Sequence, residues 1–373
     1  MAAASDLVNG GVAALQIEEP EESKNNAAAV VAFAPIPWLP AVAERYERRE
    51  KLGEGMFGDV YKAWDRVHDR IVAVKRLSGR TDDRFVKTSI PDLAREVMSL
   101  AACRGHPSVV QLLATHVDGS RADGDCYLVT EHAGPMNLRQ YMAVRRLNGQ
   151  PFGEDEVRDV MRQLLAGAEH THRAGVLHRD IVPENVIVGM DGDSATGRMV
   201  YTICGFGMSK PAGQTEKDDS GLLASPSPYR APELFLGCKD YDGRVDTWSL
   251  GCIMAELVTG TGVPFFGGAL DKEVFDKVLH VVGTRGIAKW QGLERVAPRE
   301  KVACLRKMAS QERGYLLKMF PPRLLSPAGF KVLEGLLQSN PDHRLSAADA
   351  LRKPWFRRRF SLGACCFMPH AAA

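Results

Sequence analysis

A lysine closes a β-branched run, Val72-Ala73-Val74-Lys75, and a glutamate, Glu96, sits in the next stretch whose apolar residues Leu93, Val97, Leu100 and Ala101 recur at helical spacing. A lysine on a buried strand is expensive to desolvate unless a carboxylate meets it. Glu96 is placed to do so, and the pair would hold the ammonium group towards phosphates. Taken alone, Lys75 has a solvated lysine at a strand edge as its lesser reading. A glycine cluster precedes it: Gly53-Glu54-Gly55-Met56-Phe57-Gly58-Asp59-Val60 has the spacing GxGxxGxV. Glycines let backbone N–H groups approach phosphate oxygens with no Cβ in the way. Such a cluster can also open a dinucleotide-binding fold, but that fold needs a helix directly after the glycines. Here Val60-Tyr61-Lys62-Ala63-Trp64 follows and reads as a strand. A third group, His178-Arg179-Asp180 with Asn185, combines an imidazole, a guanidinium, a carboxylate and an amide within eight residues.

The elements that must position these groups change character along the chain. Residues 1–45 are rich in Ala, Glu and Asn, without sustained periodicity, and read as a disordered, Pro-rich tail. Within it, Pro35-Ile36-Pro37-Trp38-Leu39-Pro40 is either a linker or a segment that packs Trp38 on a domain surface. From Tyr46 to about residue 132 the pattern is mainly strands with one helix, ending in Cys126-Tyr127-Leu128-Val129-Thr130. From residue 133 helices dominate. Val157, Val160, Met161, Leu164, Leu165 and Ala168 form one apolar face. Asp246 to Val258 is apolar nearly all round and predicts a buried helix. Ser326-Pro327 reads as a helix start, and Ser346 with Asp349 reads as a capping box. Strands first and helices second predict an α+β protein of two unequal lobes.

Composition narrows the function. The 373 residues are 45% apolar and 25% charged, with 48 basic against 46 acidic residues and a net charge of +2. That balance argues against a nucleic-acid binder held by bulk charge. The eight cysteines include no CxxC pair, so neither a zinc nor a disulfide framework is expected, and free thiols in a reducing compartment fit better. No targeting or membrane-spanning segment is expected, since the apolar run near residues 25–43 is broken by Pro35, Pro37 and Pro40. A cytoplasmic or nuclear protein follows.

With these groups in order, the chain resembles a eukaryotic protein kinase over residues 46–360, with a lobe at 46–132, a second at 133–360, and a short tail at 361–373. Ala231-Pro232-Glu233, Asp246 in Asp-Thr-Trp-Ser-Leu-Gly, and Arg344 extend the resemblance. Tyr229-Arg230 before Ala231, and Phe265-Phe266-Gly267-Gly268 with Val282-Gly283-Thr284, are similar to the group that holds cyclin-dependent and mitogen-activated kinases. The similarity is greatest to cyclin-dependent kinases, including the plant F-type branch. The resemblance implies ATP between the lobes and transfer of its γ-phosphate to Ser or Thr of a protein substrate. It implies Leu52, Val60 and Ala73 around the adenine, backbone hydrogen bonds from Glu131 and Ala133 beyond Thr130, and the 53–60 loop with Lys75 on the phosphates. Asp180 would accept the hydroxyl proton, Asn185 would bind Mg²⁺, and Arg179 would pair with a phosphorylated residue of the activation segment. His178 would organise backbone. Asp246 would brace the loop, and Arg344 would pair with Glu233. A cyclin is an implied partner, although Ile90-Pro91-Asp92-Leu93-Ala94-Arg95-Glu96-Val97 matches the family's cyclin-contact helix only at its end. A monomer or a hetero-complex is expected.

Several positions depart from the family pattern. Gly205-Phe206-Gly207 stands where Asp-Phe-Gly is expected, removing one of two protein ligands to Mg²⁺, a hard cation that wants oxygen. Val182 replaces a lysine that contacts the transferred phosphate. Losing one such electrostatic group costs about 10²–10³ in rate. Two losses on one phosphate need not multiply, so a combined loss of roughly 10³–10⁵ is expected. Gly221 stands at the usual phosphothreonine, beside Ser220, and Pro226 and Pro228 alter the segment that docks substrate. Ser225-Pro226 and Ser227-Pro228 have the form of phosphorylation sites or of plain turns. The expected protein is an ATP binder with weak or absent catalysis; the alternatives are an active proline-directed serine/threonine kinase in cell-cycle or transcription signalling and a scaffold that binds no nucleotide.

Overall fold

The computed structural model describes residues 38–55, 58–77, 90–117, 125–191, 197–214, 228–311 and 314–357. The chain divides into two units, residues 1–38 and 39–373. Of the first, only Trp38 is among the described residues.

The second unit begins with a five-stranded antiparallel sheet in the order β1-β2-β3-β5-β4, built from β1 (Tyr46–Gly55), β2 (Gly58–Asp65), β3 (Arg70–Leu77), β4 (Leu112–Val117) and β5 (Cys126–Glu131). Side chains alternate across a strand. Val72 and Val74 of β3 are therefore buried on one face, and Ala73, Lys75 and Leu77 turn to the other. Helix α2 (Ile90–Ala102) lies against β4 and carries Glu96 into the interior.

The tail expectation ran through residue 45, yet Pro40–Arg45 forms helix α1, which closes onto β1. Pro40 opens it with its fixed φ, Val42 is wholly buried, and Arg45 forks onto the buried Asp65 at 3.2 Å. A six-residue helix is too short to show a period in sequence.

The remaining part is mainly helical, as the pattern of elements predicts. Helix α3 (Leu138–Leu147) starts at an Asn137–Gln140 capping box. Helix α4 (Glu154–Arg173) buries the face read from its period. Helix α6 (Arg244–Thr259), which follows the short α5 (Pro232–Phe235), is buried all round and ends at Gly260. These helices share one core with the small strands β6 (Met136–Asn137), β7 (Val176–Leu177), β8 (Val186–Met190) and β9 (Met199–Ile203). Ser326 caps as expected by accepting from Gly329 N–H. Ser346 also caps, but Asp349 reaches back to the Ser346 hydroxyl at 2.6 Å and not to its backbone N–H, being one methylene shorter than Glu. A second cluster, with Phe275, Ile287, Trp290, Leu293 and Leu305 at its centre, holds the short helices between residues 271 and 311.

Candidate active site

Two residues of β3 and α2 meet first. Lys75 Nζ donates to both carboxylate oxygens of Glu96, at 2.7 and 2.9 Å. Lys75 is registered against Val60 on β2 and Leu128 on β5, so the strand ladder fixes its height. Gly58 closes the β1–β2 turn opposite Gly55. At φ +136, with an ideal Cβ 1.9 Å from Arg76 O, this position admits no side chain. Leu52, Val60 and Ala73 lie on this sheet, with Leu52 exposed and the other two half-buried. Met56 and Phe57 lie outside the described residues. Glu131 N–H donates to Gln111 O at 3.0 Å, so only its carbonyl remains for a ligand at that strand end; Ala133 follows two residues on, outside the strand.

The segment 178–185 is held from below. Asp246, buried on α6, accepts from the backbone N–H groups of His178 (2.9 Å) and Arg179 (2.7 Å) and from His172 Nε2 (2.8 Å). Burial opposes its ionisation, but these donors outweigh that and leave its pKa below the usual value. Arg179 sits at φ 69, a conformation that costs a non-glycine residue energy and that the Asp246 bonds hold in place. His178 Nδ1 accepts from Asp180 N–H (3.2 Å), which leaves Nε2 to donate to Cys204 O (2.9 Å). Its ring meets Phe206 edge-on at 4.6 Å. One imidazole thus ties the 178–185 segment to the 204–208 turn. Arg179 donates to Met208 O and to Tyr241 OH. The segment it is expected to answer, with Ser220, Ser225 and Ser227, lies outside the described residues.

At the centre stand Asp180, Asn185 and Gly205. Asn185 Nδ2 donates to Asp180 O (2.9 Å) and to Asp180 Oδ2 (2.8 Å). Desolvation raises the Asp180 pKa, against the His178 and Asn185 contacts that favour its charged form. Gly205 is left-handed, φ 82 and ψ 46. An ideal Cβ there would lie 2.6 Å from both Cγ and Oδ1 of Asn185. Val182 is half-buried and packs against the main core. Cys204, half-buried beside them, has its thiol pushed up to about 12 by desolvation and stays protonated.

Residues 46–356 match the protein kinase domain. The chain belongs to the protein kinase family. It is 44% identical over 84% of its length to a protein of Oryza sativa subsp. japonica that carries the name cyclin-dependent kinase F-2, of which it spans 90%. It is 35% identical to cyclin-dependent kinase G1 of Arabidopsis thaliana and 32% identical to cyclin-dependent kinase 11A of Homo sapiens, covering 83% and 86% of this chain. It spans 48% and 38% of those two proteins. The bilobal kinase architecture and the likeness to cyclin-dependent kinases read from the motifs agree with these matches. No helix among the described residues is long and apolar enough to cross a membrane.

The kinase family uses ATP and Mg²⁺. The Lys75–Glu96 pair and the glycine turn fit the nucleotide. At the place of the metal, the Asn185 side-chain oxygen lies against Gly205, and no carboxylate stands at 205. Among the described residues no group of three His, Cys, Asp or Glu side chains could hold an ion.

The motifs did not reveal two clusters of this kinase domain. Arg139 on α3 forks to Glu184 (2.9 Å), to the fully buried Glu256 (2.8 Å) and to Tyr229 OH. It joins the 178–185 segment to the activation-segment end and to α6. Lys51 on β1 bridges Glu54 and Asp59. A basic residue three positions before one acid and eight before another was the only available signal.

Proposed function

We propose that this kinase-family chain binds ATP with little help from Mg²⁺ and transfers phosphate weakly or not at all, acting through a protein it binds. The observation that carries this reading is the left-handed Gly205 with the Asn185 amide seated against it. Phosphoryl transfer depends on positioning and charge stabilisation, and the family needs both the Lys–Glu pair and a carboxylate-held metal. Lys75–Glu96 supplies the first. The second has no carboxylate at 205, and Val182 offers the transferred phosphate neither charge nor a hydrogen bond. Asp180 stands where the hydroxyl proton would go, one of its oxygens already accepting from Asn185.

An active serine/threonine kinase, of the kind named among the relatives, is the second reading. The closed Lys75–Glu96 pair and the Asp246-braced loop favour it. A scaffold that binds no nucleotide has that same ion pair and the glycine turn against it. A cyclin belongs to either of the first two readings through the names of the relatives.

Thermal stabilisation by ATP, with and without Mg²⁺, separates these readings. We expect a shift that changes little with Mg²⁺. A strong Mg²⁺ requirement contradicts the account of Gly205, and no shift at all favours the scaffold. A phosphotransfer assay beside Asp180→Asn completes the test: robust activity abolished by that variant establishes the active kinase instead.

A further inference from the structure

Lys51, Glu54 and Asp59 form a charge cluster at the mouth of the glycine hairpin. Lys51 Nζ lies 2.7 Å from Glu54 Oε2 and 2.7 Å from Asp59 Oδ1. A break in strand register brings them together. Residues 51 and 54 are an odd number apart, so in a regular strand they would face opposite sides. The β1–β2 ladder pairs Lys51 with Tyr61 and then Gly53 with Val60, two residues against one, which is a bulge at Leu52. A one-residue slip flips the face of everything beyond it. Lys51 therefore joins Glu54 on one side, and Asp59, directly opposite Glu54 in the ladder, joins them there. Asp59 Oδ1 is shut off from water, and Lys51 is the cation that meets it. The two carboxylates hold the Lys51 ammonium strongly, Asp59 first, and push its pKa up to about 12.

These acids stand on the two strands beside the Gly55–Gly58 turn, in the stretch whose sequence has the form of a phosphate-binding glycine loop. Two uncompensated carboxylates there would repel a triphosphate. We propose that Lys51 is a positioning residue for nucleotide binding, cancelling Glu54 and Asp59 so that the hairpin accepts the phosphates of ATP. The proposal rests on the nucleotide-binding reading above and adds what sets the phosphate preference.

The test measures affinities of the full chain for ATP and for adenosine, at low and high salt. Lys51→Met weakens ATP binding by roughly threefold to tenfold at low salt, less at high salt, and leaves adenosine unchanged. Lys51→Arg stays near the parent, and Asp59→Asn added to Lys51→Met recovers most of the loss. Asp59→Asn alone tightens ATP without affecting adenosine, a result that needs no folded Lys51→Met. Equal weakening of ATP and adenosine makes Lys51 a structural strut and overturns the proposal, as does unchanged ATP affinity in every variant. If the parent protein binds adenosine but not ATP, or neither, the nucleotide reading itself fails and this proposal falls with it.

Discussion

The side-chain amide of Asn185 lies where a Cβ on residue 205 would need to stand, 2.6 Å from its ideal position, while its nitrogen holds Asp180. The two positions share one volume. Gly205→Ala therefore meets two penalties, the left-handed backbone and the displaced amide, and should lower stability by about 2–3 kcal/mol. Gly205→Asp suffers less from the backbone, because Asp tolerates the left-handed region, but Asn185 must still move. Its cost should shrink beside Asn185→Ala, with a coupling of about 0.5–3 kcal/mol in a double-mutant cycle read by denaturant unfolding. Strict additivity would show that the space is not shared. Joined to Val182→Lys, Gly205→Asp should raise phosphotransfer and make it depend on Mg²⁺. If it does not, the defect lies in the activation segment.

Asp180 offers a test that needs no activity. Desolvation raises its pKa in the folded chain. The folded state then holds the proton more tightly than the unfolded state does. The stability that comes from this is complete below the unfolded value of about 4 and is lost as pH rises through the folded value. At pH 7 the ionised carboxylate is thus a burden on the fold. Asp180→Asn keeps an oxygen for Asn185 Nδ2 and removes the charge. Its Tm should exceed that of the parent at pH 7, and the gap should close as pH falls towards 4. A variant less stable at pH 7 would mean that the carboxylate is held by more than the contacts described.

How much of this could be read from the sequence follows from how each feature is encoded. The Lys75–Glu96 pair and the brace from Asp246 were legible because few residue types can make such contacts and the spacing between them is set by whole elements. The face of α4 was legible because 20 residues give a period time to show. Three features were not. Helix α1 is too short for a period. The alliance of Lys51 with Glu54 depends on a bulge, which leaves no mark in the pattern of residue types. The seat of the Asn185 amide against Gly205 is a matter of side-chain direction, which residue types do not encode.

Arg344 and Glu233 form a fork, Nη1 to Oε1 at 2.8 Å and Nη2 to Oε2 at 2.7 Å, with both side chains almost wholly buried. The pair joins the start of α5 to the chain after residue 340, and the guanidinium also lies over the Trp248 ring at 5.1 Å. Two buried charges gain from each other about what they lose in desolvation, but one left alone keeps the whole loss. Arg344→Ala or Glu233→Ala should each cost about 3–5 kcal/mol. Arg344→Lys should cost more than a conservative change usually does, since an ammonium cannot reproduce two parallel bonds or stack on the indole. Arg344→Met with Glu233→Leu removes both charges at similar volume and should recover much of the single-variant loss in chemical denaturation. If the double variant is as unstable as the sum of the singles, the two charges are not coupled, and Arg344 acts through its other contacts, the carbonyls of Gln338 and Arg244.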